Sequence, residues 1–161
     1  MSDASLPRDA AQAVVSHPGE RHVLTFGACR IAYVHADTSE DTTLLELLLP
    51  AAFDEWPRLT FHEVRVTYFV VSGRMTYTCG GRGVALALPE TSLVVPAGCS
   101  HRIGTPDDGD AHVLLIARHA GLRQYFEALA ALRARSREWP PRPPEPLAVL
   151  DRRYNVSRND P

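Results

Sequence analysis

Alternation of apolar and polar residues dominates the middle of the chain and predicts a series of short β-strands. Between Thr60 and Val71, β-branched and aromatic residues recur at every second position, which is typical of a strand with one buried face. The run closes on Ser72-Gly73, a turn signal. One face of this strand is expected to carry the side chains of Thr60, His62, Val64, Val66, Tyr68 and Val70.

Further strands are predicted on both sides of this run. Short apolar or alternating segments, separated by turn residues, predict strands over residues 21–26, 29–35, 42–49, 73–78, 84–88 and 111–117. Between the last two of these ranges, a short apolar run and Pro96-Ala97-Gly98 precede His101, which begins another strand. The chain is therefore expected to be dominated by antiparallel β-structure.

A helical period replaces the alternation from Ala120 to Glu138. One apolar stripe with helical spacing is formed by Leu122, Tyr125, Phe126, Leu129 and Leu132. Trp139 and the prolines at 140, 141, 143, 144 and 146 end this helix. A last helical turn or two is expected between Leu147 and Tyr154. The helix is expected to pack on the outside of the β-structure.

Length and composition favour one globular domain. The chain has 161 residues, of which 45% are hydrophobic and 22% charged. We expect an N-terminal tail (1–20), a β-barrel (21–119), and a C-terminal helix with a proline-rich tail (120–156). A net charge of −2 argues against nucleic-acid binding, and no apolar stretch approaches the ~20 residues of a membrane span. The chain has three cysteines and no CxxC spacing, which favours reduced thiols. Its N-terminus is unlike a secretory signal, which favours a cytoplasmic protein.

Two stretches resemble the conserved motifs of the cupin superfamily. The first cupin motif, G-x5-H-x-H-x3-E-x6-G, can be placed so that it ends on Gly73 and matches at His62. Its opening glycine, first histidine and glutamate then fall on Asp54, Thr60 and Val66. Two positions of this motif are thus kept and three are replaced.

The second cupin motif, G-x5-P-x-G-x2-H-x3-N, matches at Pro96, Gly98 and His101, while its first and last positions fall on Glu90 and Thr105. The resemblance covers most of residues 20–156. It implies an all-β fold, namely a single-domain cupin (a double-stranded β-helix or jelly-roll barrel) with a C-terminal α-helix.

The metal site of cupins is only partly implied by the resemblance. In metal-binding cupins three histidines and a glutamate converge on one divalent ion, and here those positions are Thr60, His62, Val66 and His101. Because a threonine hydroxyl is a poor ligand and valine has no lone pair, we expect no metal cofactor. The alternative is a divalent iron, manganese, nickel or zinc ion held by His62 and His101, with waters or a carboxylate such as Glu46.

Without a metal, the candidate chemistry is acid/base catalysis in an apolar barrel. Two imidazoles with ordinary pKa values of about 6.5 would supply a general base, which assigns catalytic roles to His62 and His101. Tyr68 or Tyr77 is expected to donate a hydrogen bond to a developing enolate or alkoxide, and the catalytic role is assigned to Tyr68. Glu46 lies inside an apolar run, so it either faces solvent at a strand edge or lies in the barrel as an acid/base group with a raised pKa. The expected substrate-binding side chains are Thr60, Val66, Met75 and Tyr77.

Three classes of function follow. The first is a metal-independent enzyme that isomerises, dehydrates or cyclises an apolar, carbonyl-bearing small molecule, as some cupins resembling this description do, including sugar epimerases and polyketide cyclases. The second is a metal-dependent dioxygenase that uses His62 and His101. The third is a non-catalytic ligand-binding barrel. In each case we expect a cytoplasmic homodimer whose partner is a small molecule, and neither nucleic acid nor a membrane.

Overall fold

Eleven β-strands and two α-helices make up the residues that the computed structural model describes, which are 15–34, 42–119 and 121–158. The first fourteen residues of the predicted tail, the polar loop at 36–41 and Ala120 lie outside this range. The strands are β1 (Val23–Phe26), β2 (Cys29–Tyr33), β3 (Thr43–Leu49), β4 (Thr60–Phe61), β5 (Val66–Gly73), β6 (Met75–Cys79), β7 (Ala85–Ala87), β8 (Ser92–Val95), β9 (His101–Gly104), β10 (Ala111–Ala117) and β11 (Val156–Ser157). The helices are α1 (Gly121–Arg135) and α2 (Glu145–Arg153).

The strands form one large and two small antiparallel sheets. The large sheet has the order β1-β2-β3-β10-β5-β8, and the small sheets have the orders β7-β6-β9 and β11-β4. In β3 and β10 every second side chain is buried, as the alternation in the sequence predicts. The buried faces of the large sheet and of β7-β6-β9 contribute to a single hydrophobic core.

Helix α1 adds aromatic side chains to this core. Its predicted stripe is buried at Leu122, Tyr125, Phe126 and Leu129, while Leu132 is only half-buried. The ring of Phe126 lies 5.5 Å from that of Trp56, and the ring of Tyr125 lies 5.8 Å from that of Phe61. Each large aromatic side chain buried in this way contributes about 2 to 3 kcal/mol to stability.

No helix among the described residues is long and apolar enough to cross a membrane.

One predicted strand is broken in two, and the break decides which side chains face the core. The run from Thr60 to Val71 forms β4 and β5, and the chain leaves strand geometry at residues 62–65. The ring of Phe61 lies 5.8 Å from that of His101, so Phe61 faces the core. The predicted inner face that Thr60 and His62 share with Tyr68 is therefore wrong.

The first part of the broken strand pairs with β11, which the sequence pattern did not predict. β11 pairs with β4 so that Ser157 lies opposite Thr60, and the side chains of cross-strand partners share a face. The exposed His62 lies on that same face, with its Nε2 atom 2.9 Å from the Ser157 hydroxyl oxygen. Pairing with the C-terminal segment thus holds Thr60 and His62 away from the face that Phe61 presents to the core.

Gly73 joins β5 to β6 at a point where no side chain fits. Its φ angle is +74°, and a Cβ atom at this position would collide with the backbone carbonyl oxygen of Asp110 at the start of β10. The Arg74 amide donates a hydrogen bond of 3.0 Å to that same oxygen. The glycine therefore allows the β5–β6 turn to lie directly on the neighbouring strand.

We expect Gly73→Ala to lower the free energy of unfolding by about 3 kcal/mol or more, because the left-handed backbone and the collision both cost energy. Gly81→Ala is the matched control, since Gly81 has a φ angle of +75° but no atom within 4 Å of its added Cβ. The control should cost about 1 kcal/mol. Denaturant unfolding of both variants measures the difference, and equal losses would contradict the packing account of Gly73.

Candidate active site

A hydrogen bond between Tyr68 and His101 joins the two larger sheets across the core. Tyr68 lies in the middle of β5 in the large sheet, and His101 begins β9 in the small one. The Tyr68 hydroxyl oxygen is 2.9 Å from Nε2 of His101. Both side chains are completely buried. The structure thus brings together two of the four residues to which the sequence assigned catalytic roles.

The surroundings of His101 determine which of its nitrogens carries hydrogen. Its Nδ1 atom lies 3.3 Å from the carbonyl oxygen of Cys99. Because a carbonyl oxygen can only accept, Nδ1 carries the hydrogen, and Nε2 presents its lone pair to the Tyr68 hydroxyl. His101 is therefore oriented as a base and Tyr68 as a proton donor.

Both groups are neutral near pH 7. Burial lowers the pKa of His101 to about 4, because an imidazolium cation loses its hydration in the core; this outweighs the backbone hydrogen bonds at Cys99 and Leu59, which raise the pKa. The positive charge of Arg58 lowers the same pKa slightly further. Burial also raises the pKa of Tyr68 well above its usual value. Proton transfer between these groups would therefore start from uncharged partners.

The indole of Trp56 lies beside this pair and carries an unsatisfied donor. Trp56 is buried, and its Nε1 atom has no hydrogen-bond partner of normal geometry. Its N–H is nevertheless close enough to the Tyr68 hydroxyl to lower the pKa of that group, an effect smaller than that of burial. Because buried donors are rarely left without an acceptor, this N–H is available to an oxygen atom of a ligand.

On its other side, Trp56 forms part of the wall of an open cleft with a volume of about 450 Å³. A second hollow of about 260 Å³ adjoins it and shares Asp54, Arg58 and Arg102 with it. Both volumes are of the order of small-molecule sites. Residue Trp56 therefore belongs both to the surroundings of Tyr68 and to the lining of the cleft.

The other predicted residues divide between the core and the outside. Val66 and Met75 are completely buried in the core. Tyr77 is half-buried and pairs with Ile103 of β9. Thr60 is buried on the face opposite Phe61, and its hydroxyl has no hydrogen-bond partner. Among these four, only Thr60 departs from the expected side of its strand.

Glu46 lies on the outer face of the large sheet. The alternation in β3 gives the core-facing positions to Leu45 and Leu47, and the Glu46 carboxylate accepts a hydrogen bond of 3.0 Å from Arg21. The alternative in which Glu46 lies inside the barrel is therefore wrong. Its ion pair provides the partner that a carboxylate within an apolar run requires.

The metal centre that cupin motifs imply does not fit these residues. His62 is exposed on the face opposite the core, Val66 has no donor atom, and Nε2 of His101 is engaged by Tyr68. Across residues 15–34, 42–119 and 121–158, no three His, Cys, Asp or Glu side chains come close enough together to hold an ion. The predicted ligand pair of His62 and His101 is not brought together.

Sequence reasoning missed the roles of Trp56, Phe61, Arg58 and Arg102. The interior position of Phe61 depends on the break at residues 62–65, which gives no signal in the alternation. The position of Arg102 was predictable, because it follows His101 in a strand and its side chain must therefore lie on the opposite face of that strand. That face carries the cleft.

Comparison with known proteins shows similarity at the level of structure. Neither a protein-family model nor a curated protein sequence matches the chain. Pac13 from Streptomyces, described as a nucleoside dehydratase, has a TM-score of 0.55 at 12% identity over 67% of this chain and 83% of its own. Hydroxypropylphosphonic acid epoxidase from S. wedmorenis has a TM-score of 0.56 at 15% identity over 65% and 58%. A cupin-2 domain protein of Rhodospirillum rubrum has a TM-score of 0.53 at 16% identity over 66% and 74%.

The buried neutral imidazole predicts a specific dependence of stability on pH. The pKa of His101 falls from 6.5 in the unfolded chain to about 4 in the folded one, so the unfolded state binds the proton more tightly. The contribution of the neutral His101 ring to the free energy of unfolding is complete above pH 6.5, declines as the pH falls, and is lost below pH 4. It amounts to about 3 kcal/mol.

Urea unfolding of the native protein and of His101→Gln between pH 7 and 4 tests this dependence. The free energy of unfolding of the native protein should fall more steeply than that of the variant, by about 1 kcal/mol per pH unit. His62→Gln, at an exposed position, should follow the native protein. Parallel curves for the native protein and His101→Gln would contradict the assigned protonation state.

Proposed function

Because the chain has a cupin fold, we propose that it is a small-molecule enzyme that uses metal-independent acid/base catalysis. Its catalytic groups are His101 and Tyr68, inside a jelly-roll barrel, and its reaction is the dehydration of an apolar substrate that carries a carbonyl group. The proposal rests on the 2.9 Å contact between a tyrosine hydroxyl and an imidazole nitrogen of fixed tautomer. The description of Pac13 as a nucleoside dehydratase is a precedent for such a reaction on this fold.

The dehydration needs one base and one acid on the same side of the substrate. When the substrate enters between the two groups, the hydrogen bond from Tyr68 to Nε2 of His101 breaks. Nε2 then takes the proton from the carbon next to the carbonyl group, and the electrons of that C–H bond form the new C=C bond as the bond to the leaving hydroxyl breaks. Tyr68 gives its proton to the departing hydroxyl, which leaves as water. The imidazolium then returns its proton to the Tyr68 oxygen, which restores both groups.

The buried environment of His101 and Tyr68 is compatible with this exchange of protons. An isolated imidazolium is disfavoured in the core, as the lowered pKa of His101 shows. During the reaction, however, the cation at His101 is paired with a phenolate at Tyr68, so no unpaired charge is buried.

The substrate reaches this pair from the cleft. Because His101 and Tyr68 have no exposed surface, the Trp56 side chain must move aside when the substrate enters. Desolvation of the reacting groups is then complete once the substrate has replaced the indole ring. A dioxygenase is the weaker alternative, because His62 and His101 lie on different faces.

Turnover of β-hydroxy carbonyl compounds by matched variants tests the proposal. We expect His101→Gln and Tyr68→Phe each to lower kcat by about 10²- to 10⁴-fold, since each removes one of the two proton-transfer groups. His62→Gln is the control and should remain within about twofold of the native protein. The measurement is the appearance of the conjugated carbonyl product by ultraviolet absorbance.

Full turnover by both dyad variants would contradict the catalytic assignment. Saturable binding of these compounds by the native protein without any turnover would instead show a non-catalytic ligand-binding barrel. Thermal unfolding of each variant is measured alongside, so that a loss of activity is not confused with a loss of folded protein.

A further inference from the structure

Two arginines at the junction of the cleft and the neighbouring hollow have no acidic partner among residues 15–34, 42–119 and 121–158. Among the described residues Arg58 makes no hydrogen bond or ion pair. Arg102 donates from Nε to the carbonyl oxygen of Trp56 at 3.0 Å and from one Nη to that of Asp54, both of which are uncharged groups. The guanidinium charges of Arg58 and Arg102 are thus left without a paired carboxylate.

The other two arginines of the cleft are each paired with a carboxylate. Arg133 lies 2.7 Å from the Glu55 carboxylate, and Arg158 lies 2.8 Å from that of Asp151. The cleft is lined by four arginines and by only two carboxylates, those of Asp54 and Glu55, in a protein whose net charge is −2. With Arg133 and Arg158 paired, the charges that remain in the cleft are those of Arg58, Arg102 and the Asp54 carboxylate, and positive charge is in excess.

We propose that this junction binds the phosphate group of a small phosphorylated substrate. Arg58 offers a complete guanidinium fork, which matches two oxygens of a phosphate, and Arg102 offers its remaining N–H groups from a position fixed by two backbone carbonyls. Two neighbouring guanidinium groups match the several oxygens of a phosphate monoester better than they match a single carboxylate. The cleft, at about 450 Å³, leaves room for the organic part of the ligand.

This assignment rests on the proposed function and refines its substrate class, because only the reacting part of the substrate, which carries the carbonyl group, is then apolar, whereas the phosphate group stays in the cleft. Arg58 precedes Leu59, whose backbone pairs with His101 through hydrogen bonds of 2.8 and 2.9 Å. A phosphate at Arg58 would therefore anchor the substrate one residue away from the strand that holds the base. It would also offset the positive charge that opposes protonation of His101.

Intrinsic fluorescence provides a direct binding assay, because both tryptophans of the chain, Trp56 and Trp139, line the cleft. We expect inorganic phosphate to change the emission saturably, with a dissociation constant of about 1 mM or below, at an ionic strength held constant with chloride. Arg58→Gln should weaken binding at least tenfold. Arg137→Gln, an exposed site outside the cleft, is the matched control and should bind like the native protein.

Unchanged phosphate binding by Arg58→Gln, or no saturable signal from the native protein, would overturn the assignment. Equal affinity for acetate would overturn the phosphate class in favour of a carboxylate. Binding is independent of turnover, so His101→Gln should still bind phosphate. If His101→Gln is inactive but the native protein binds no phosphate, only the phosphate site is overturned. If the native protein binds phosphate but His101→Gln keeps its activity, only the proposed catalytic pair is overturned.

An independent observation concerns Cys79 and Cys99. Their Sγ atoms lie 2.8 Å apart, closer than two unbonded sulfur atoms normally approach, and both side chains are half-buried. Cys79 ends β6, and Cys99 precedes His101 by two residues and supplies the carbonyl oxygen near its Nδ1. The third cysteine, Cys29, is buried elsewhere in the core.

We infer that Cys79 and Cys99 form an intramolecular disulfide when a disulfide oxidant such as oxidised glutathione is present. Each thiol loses one proton, the pair loses two electrons to the oxidant, and two reduced glutathione molecules are released. Burial raises the pKa of Cys79 to about 11, so few thiolates exist at pH 7 and the exchange is slow. The bond would fix the segment that positions His101.

Mass spectrometry of the intact protein after incubation with oxidised glutathione tests the pair. We expect a loss of about 2 Da and one remaining alkylatable thiol after denaturation, because two hydrogens are removed and Cys29 stays reduced. Cys29→Ser should behave in the same way except that no thiol remains. Three free thiols, or an unchanged product pattern in Cys79→Ser, would overturn the pairing.

Discussion

The hydrogen bond between Tyr68 and His101 is the constraint on which the rest of the site depends. It links the large sheet to the three-stranded sheet at a point where neither side chain is exposed. A buried polar pair of this kind is stable only when each group satisfies the other, and here the Cys99 carbonyl accepts the remaining imidazole hydrogen. The requirement for mutual satisfaction fixes the tautomer, and the dry environment keeps both groups neutral.

The same pair explains why the interior and the cleft act together. Trp56 contributes to both, since its indole N–H lies near the Tyr68 hydroxyl and the residue also lines the cleft that holds Arg58 and Arg102. Charge is confined to the outer side of this tryptophan and neutral acid/base groups to its inner side. Binding energy from a charged part of the substrate is therefore available to offset the cost of displacing Trp56.

Much of the fold follows from the sequence because burial of alternate residues leaves a direct signal. The bounds predicted for β10 are confirmed, and His101 begins its strand as expected. The face of His62 was not predictable, because it depends on pairing between β4 and the two-residue strand β11, which lies about 95 positions away along the chain. A local pattern carries no information about such a distant partner.

The most direct measurement of the central claim is ¹⁵N nuclear magnetic resonance of the His101 side chain. We expect a neutral ring with hydrogen on Nδ1 and a hydrogen-bonded lone pair on Nε2, unchanged between pH 7.5 and 5.5, because burial lowers the pKa of His101 to about 4. A ring that titrates near its ordinary pKa of 6.5, or one with hydrogen on Nε2, would contradict it.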